Sequence, residues 1–389
     1  MIGAGFLNLP PWQGRLQQTL NELNRNDLLR IPVLGTENVE HPWVALEPED
    51  FFSAVSTGIL FNDDYRLKRL PEKIITADAE VAIRRLLAGK TDNTFFKGCI
   101  GSSYPFLKML ADDKKNISRF YVQNDAVAGY ILAQMESESC SLDKAIASAQ
   151  WEKIASSNPS PNLHGIVTRN RLILQMAEIF GCIVAPEKVA TTGISSLSLD
   201  DVKIADFMGF SIRLLGMAES IGGAIRASVE PCMLPRQYFL AQARKGSEIF
   251  YAVSDKEQAQ IYSCPGTSCE TLVKGIIADL DQVSNERATE RQLKIVSEVE
   301  TFSDRYYLRF SLVNLTSTMA QILNLFSAAG IEVEEIFQPE IEVSRETESS
   351  RTVVFQTAKT EPAKLSSVIG RIEEQIKLAT VVSCFKLFR

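Results

Sequence analysis

The apolar positions along the chain fall into three textures. Up to about residue 73, Pro10, Pro11, Pro32, Pro42 and Pro48 break the pattern, and only residues 16–29 carry a helical period. From about residue 74 to 303 the spacing is that of long amphipathic helices. Leu172, Met176, Ile179 and Phe180 predict one, and Phe207, Phe210, Leu214, Leu215 and Met217 predict another. Residues 248–253 read as a strand within this zone. The third zone opens on Tyr306-Tyr307-Leu308-Arg309-Phe310-Ser311-Leu312, which alternates like a half-buried strand. A helix over 318–329 follows, stopped by Gly330, with Thr316 or Ser317 available to cap its start. Then come a strand from Ile331, a charged turn region within 342–351 read as a solvated hairpin, a strand over 352–357, a helix over 365–378 and a strand over 381–388. The order β-α-β-β-α-β is the ferredoxin-like unit.

Composition narrows the classes. A chain of 389 residues, 45% hydrophobic and 23% charged, has room for two or three domains with real cores and contains no apolar run of membrane-span length. The first residues lack the basic start and long apolar middle of a signal peptide, so a cytoplasmic protein is expected. A net charge of −7 with both signs intermixed gives no nucleic-acid footprint. Cysteines at 99, 140, 182, 232, 264, 269 and 384 form no Cys-x-x-Cys pair, which predicts reduced thiols, and two histidines, His41 and His164, are too few for a zinc cluster. The expected partners are a small molecule and a second copy of the chain.

Particular residues suggest a family. Cys99-Ile100-Gly101-Ser102-Ser103-Tyr104-Pro105 resembles the Val-Gly-Gly-Gly-Ile-Pro segment of homoserine dehydrogenases, and residues 130–135 resemble the helix after their Asn-Gly-Thr-Thr-Asn motif. The likeness runs on in order through Asn158-Pro159, Gly165, Phe180-Gly181, Gly193-Ile194, Ile212-Arg213-Leu214-Leu215, Leu234-Pro235 and Ile277-Ala278-Asp279-Leu280. The resemblance implies a fold class of mixed α/β and α+β character. Its parts would be a truncated Rossmann-like nucleotide-binding region at 1–75, an α+β substrate and dimerisation domain at 76–303 and a ferredoxin-like, ACT-like regulatory domain at 304–389.

The chemistry departs from that family. Its Thr-Ala-Asn-Lys motif resembles Thr76-Ala77-Asp78-Ala79, which puts a methyl group in place of the lysine. The acidic Gly-Tyr-Ala-Glu-Ala-Asp-Pro segment resembles residues 153–159, where Ser156 and its neighbours are neutral. An aspartate and a lysine one helical turn apart match Val167 and Arg171, and the Asn-Gly-Thr-Thr-Asn motif matches Asp125-Ala126-Val127-Ala128-Gly129. Taking a hydride from an alcohol requires a group that accepts the hydroxyl proton, and none stands at the replaced family positions Ala79, Ser156, Val167 and Arg171.

For a nucleotide, Gly3-Ala4-Gly5 starts a dinucleotide fingerprint. Asn8 replaces its third glycine, and Pro10-Pro11 fall where the phosphate-binding helix would begin. Gly266 sits in a second glycine-containing turn, framed by Cys264 and Cys269. Candidate ligand-pocket residues are Asp78, Lys97, Ser156, Asn158, His164, Arg169 and Arg171. A guanidinium can clamp a carboxylate, His164 can exchange a proton, and the Lys97 ammonium can replace the cation of the family's monovalent site. Lone surface arginines, lysines and histidines are more often simply solvated. In the ACT-like part, the turn at 314–318 lacks the family's Pro-Gly pair, so an effector site is not indicated.

Two functions compete. One is a regulatory or biosynthetic protein without dehydrogenase activity, homodimeric, needing no cofactor or metal and binding an amino-acid-like ligand. The other is a divergent enzyme, either an NAD- or NADP-dependent homoserine dehydrogenase or one using Arg171, His164 and Asp78 on another substrate.

Overall fold

The computed structural model describes residues 33–34, 59–60, 79–89, 117–152, 154–243, 246–264, 293–339 and 350–388. The predicted helix at 16–29 and the proline-rich stretch lie outside them, apart from the two-residue antiparallel pair β1 (Val33–Leu34) and β2 (Ile59–Leu60). Described residues within 1–126, 167–189 and 247–299 form one unit, and those within 127–166, 190–246 and 300–389 form a second.

In the first unit, helix α1 (Ala79–Leu87) precedes strand β3 (Ile117–Gln123). Strand β3 pairs antiparallel with β8 (Glu248–Ser254), which pairs with β9 (Ala259–Cys264). The helix read from Leu172 to Phe180 is present as α5 (Ile166–Phe180). Phe120 on β3 lies 5.3 Å from Phe180 of α5 and 5.1 Å from Phe250 of β8, ring centre to ring centre. This aromatic contact fixes the even-numbered face of β3 towards α5. After Gly181, in a left-handed turn at φ 63°, strand β4 (Cys182–Val184) pairs in parallel with β10 (Lys294–Val296).

The second unit contains helices α2 (Ala126–Glu138, from residue 127), α3 (Leu142–Trp151), the single turn α4 (Ser160–Leu163) and α6 (Leu199–Phe207). Its sheet is built on the hairpin of β6 (Phe210–Ile221) and β7 (Ala224–Pro235). Gly222 and Gly223, at φ 58° and 87°, make the two-residue turn, a conformation that suits the strand twist and excludes most side chains. The short strand β5 (Ala190–Thr191) pairs with β7, as does the last strand of the chain.

That last strand belongs to the β-α-β-β-α-β unit read from the sequence: β11 (Arg305–Val313), α7 (Leu315–Ala328), β12 (Val333–Phe337), β13 (Ser350–Thr357), α8 (Pro362–Gln375) and β14 (Ala379–Leu387). Its strands lie in the order β12-β13-β11-β14, all antiparallel, and β14 continues onto β7 in parallel through Lys386 opposite Cys232 and Leu387 opposite Met233. Tyr306, Leu308, Phe310 and Leu312 meet Ile322, Phe326, Leu365, Val368 and Ile372 in one core. Each fully buried large side chain there stabilises the fold by about 1.5–3 kcal/mol.

Three sequence expectations are corrected. Residues 210–217, given a helical period with Phe207, are strand: α6 ends at Phe207, which is exposed, and Gly209 at φ 80° closes it. Strand β6 is buried on both faces from Ser211 to Ala218, so its apolar residues run consecutively and lose the two-residue period. The predicted alternation of β11 fails for the same reason, since Tyr306 to Phe310 are all buried. The start of α7 uses neither Thr316 nor Ser317 as a cap. Asn314 takes the left-handed conformation, φ 52°, that the missing glycine would have supplied, and the Thr318 hydroxyl donates back to the Val313 carbonyl. Of the 342–351 region, Ser350 and Arg351 belong to β13 with Ser350 buried, and the rest lies outside the described residues.

Arg309, on the far face of β11, is 2% exposed and pairs with Asp201 of α6 at 2.7 Å. Asp201 also closes the capping box of α6 with Ser198. Asp201→Asn should cost about 3–5 kcal/mol in urea unfolding, because it leaves the buried guanidinium with only the more distant carboxylate of Asp200, 3.9 Å away, as counter-charge. Glu334→Gln, which breaks the half-exposed pair with Arg305, should change stability by under ~1 kcal/mol.

Candidate functional site

Helix α5 leaves a turn at Gly165, φ 75°, and sets Thr168, Arg171 and Gln175 at i, i+3 and i+7, one side of the helix. That side meets the end of β3 and the start of β8. The Arg171 guanidinium donates through Nη1 to the backbone carbonyl of Asn124 and to Glu248 Oε1 at 3.2 Å. Its side chain keeps 17% of its exposure, whereas Glu248 keeps 1%. Asn124 in turn donates from Nδ2 to Gln175 Oε1 at 3.1 Å. Two buried oxygens on this face, Asn124 Oδ1 and Thr168 Oγ1, have no hydrogen-bond partner among the described residues. On the opposite side of β3, Gln123 Oε1 likewise has none among them.

Val167 stands one turn before Arg171, half-buried and without a polar group. Arg169, two residues before Arg171, points to another side of the helix and donates from Nε and Nη2 to Asn170 Oδ1 at 3.1 and 3.0 Å. Burial lowers its pKa, partly offset by Glu80 and Glu187.

The second unit brings Ser156, Asn158 and His164 into one loop. Ser156 Oγ donates to the Asn158 carbonyl at 3.0 Å, and Asn158 Oδ1 accepts from the Ser160 amide at 3.2 Å. His164 Nδ1 lies 2.8 Å from the Ser160 carbonyl and 3.1 Å from the Ser160 hydroxyl; the carbonyl can only accept, so Nδ1 donates to it. Gly193 presses on this loop so closely that a Cβ would fall 2.0 Å from the Leu163 carbonyl oxygen, and the Ile194 amide donates to that same oxygen at 2.7 Å. The polar groups of Ser156 and Asn158 thus serve the loop's own shape, and His164 is exposed.

Ala79 is the first residue of α1. Asp78, Lys97, Gly3, Gly5 and Gly266 lie outside the described residues. Sequence reasoning singled out Arg171 but missed Asn124, Thr168, Gln175 and Glu248. The only available signal was polar residues within otherwise apolar runs, as Gln175 stands between Leu174 and Met176. Among the described residues no cluster of His, Cys, Asp and Glu could hold a metal, and no helix is long and apolar enough to cross a membrane.

The homoserine dehydrogenase family model matches residues 105–280. Homoserine dehydrogenase of Helicobacter pylori is 23% identical over 303 residues, 76% of this chain and 70% of its own length. That of Bacillus subtilis is 20% identical over 360 residues, 87% and 82% of the two chains. Among solved structures, a homoserine dehydrogenase from Thiobacillus denitrificans superposes with a TM-score of 0.75 at 19% identity, covering 97% of this chain and 96% of that one, which establishes a likeness of fold.

Arg171→Ala takes one cation away from buried Glu248 and should cost about 3–5 kcal/mol in urea unfolding. Replacing Arg171 and Glu248 together by Met should restore most of that loss. The Cys182 thiol, 2% exposed and pushed up to about 11 by burial, should resist iodoacetamide at neutral pH until the protein unfolds.

Proposed function

We propose that this homoserine dehydrogenase-like chain has lost NAD- and NADP-dependent turnover and works as a regulatory or biosynthetic protein that binds an amino-acid-like ligand. The observation that carries this reading is the state of Arg171. It stands where the resemblance expects a lysine, and a guanidinium offers only donors, with no acceptor for the proton of an alcohol. It is further committed to Glu248 and the Asn124 carbonyl. One turn earlier, Val167 offers no carboxylate, and Ala79 offers no ammonium.

A nicotinamide dinucleotide, when bound, would supply the hydride acceptor. Its suggested glycines, Gly3, Gly5 and Gly266, lie outside the described residues. We extend the proposal to a truncated nucleotide-binding-like region at 1–75, a substrate and dimerisation domain at 76–303, an ACT-like regulatory domain at 304–389, a homodimer and a cytoplasmic location.

The second reading, a divergent active enzyme, draws on the relatives, which carry the name homoserine dehydrogenase. Purified protein given L-homoserine with NAD or NADP should show no growth of nicotinamide absorbance, and calorimetry should detect no dinucleotide binding up to millimolar concentration. Homoserine-dependent reduction that disappears in Arg171→Ala would instead establish the active enzyme.

A further inference from the structure

We propose that the seam between β7 and β14 is a proton-linked latch. Closing it takes up a proton on the two carboxylates that flank Lys386, with Asp304 as the carrier. The C-terminal β-α-β-β-α-β unit is thereby held to the central hairpin more tightly as pH falls.

Three observations carry this. First, the seam is thin. Strand β14 meets β7 through Lys386 opposite Cys232 and Leu387 opposite Met233, extended only by the Phe388 amide, which donates to the Met233 carbonyl at 2.9 Å. At the other end of the connection, Glu300 exchanges backbone hydrogen bonds with Ile225 and Ala227. So few backbone bonds leave the balance between closed and open to the side chains that meet across the seam.

Second, the charges at the seam do not cancel. The Lys386 side chain is fully buried, and its ammonium lies 2.8 Å from Glu230 of β7 and 3.1 Å from Asp304, the residue before β11. Among the described residues, two carboxylates thus share one buried ammonium. If both are ionised, a net negative charge stays where little water can solvate it, and binding a proton removes that cost. Asp304 is the better carrier. It is the farther of the two from the ammonium, and its side chain keeps 31% exposure against 19% for Glu230, so its proton can exchange with water while the seam is closed. Burial raises its carboxyl above the ordinary aspartate value in spite of Lys386.

Third, the neighbouring groups do not titrate with it. Burial pushes up the thiols of Cys232 on β7 and Cys384 on β14, the latter to about 12, and the Tyr306 hydroxyl on β11, so all three stay neutral. The exposed Lys359 acts on Asp304 with the sign opposite to that of Glu230, and the Phe302 ring covers the ammonium at 5.0 Å.

The direction follows from the two shifts. With Asp304 raised when the seam is closed and ordinary when it is open, the closed state gains as pH falls from above the raised value towards 3.8. Lys386 is held above its usual 10.5 when closed, so its contribution is complete below 10.5 and is lost only as pH rises through the raised value. Both groups favour the closed seam at lower pH.

Hydrogen exchange of the full chain, read by mass spectrometry over residues 384–388 with the β6–β7 hairpin as internal reference, tests this between about pH 7.5 and about pH 4.5. After correction for intrinsic exchange, opening of the wild-type seam should fall by about threefold or more towards the acidic end. Asp304→Asn removes the titrating group and keeps an oxygen for the ammonium. It should hold the seam at neutral pH as firmly as the wild type does in acid, with the pH dependence gone. Lys386→Met leaves two carboxylates without their ammonium; its seam should open at neutral pH and close again as pH falls, whereas lost packing alone would open it equally at both ends. Wild-type opening that does not change with pH, or a pH dependence kept in Asp304→Asn, would overturn the latch. So would a Lys386→Met seam that is equally open at both ends.

Discussion

The carboxylate of Asp201 is the point on which the second unit turns. One oxygen takes the Nε of Arg309 at 2.7 Å and the hydroxyl of Ser383 at 2.5 Å, and the other takes the amide and hydroxyl of Ser198. It therefore starts helix α6, neutralises an arginine on β11 and touches β14 at once. An ion pair out of water loses several kcal/mol of hydration per ion and is tolerable only when its remaining hydrogen bonds are made. Here both carboxylate oxygens are engaged, and Arg309 Nη2 is satisfied by Ser198 Oγ at 2.8 Å. Strand β11 can consequently be buried on both faces, with the aromatic core on one side and α6 on the other.

A second charged node holds the sheet together further along β14. Lys386, fully buried, lies 2.8 Å from Glu230 and 3.1 Å from Asp304, with the Phe302 ring 5.0 Å away. Burial alone would lower its pKa, but Glu230 and Asp304 more than offset this, and the ammonium is held above its usual value. Burial raises Asp304 in spite of Lys386. The ladder between β14 and β7 is only two residues long, too short to join two sheets on backbone hydrogen bonds worth about 1 kcal/mol each. The buried ion pairs make the register specific, because sliding by one residue would turn Lys386 away from both acids.

The first unit uses its charged pair differently. Arg309 is bonded from several sides within the protein, whereas the hydrogen bonds of Arg171 among the described residues all run through Nη1. The same residue type thus closes a core in one place and keeps part of its side chain exposed in the other. The difference lies in the neighbours: Ser198 and Ser383 complete the Arg309 network.

The sequence by itself determined the β-α-β-β-α-β order of the C-terminal part, helix α5 and strand β8. These rest on local signals: periodicity within one element and a terminating glycine such as Gly330. Only the tertiary structure decided that 210–221 is a strand, that β11 is buried on both faces and that Asn314 takes over from a glycine. It also decided which residues stand around Arg171, since Asn124 and Glu248 are 47 and 77 positions away along the chain. Burial on a second face erases the alternation that marks a strand, and a partner brought in from a distant segment leaves no trace in local spacing. Both therefore become legible only once the chain has packed.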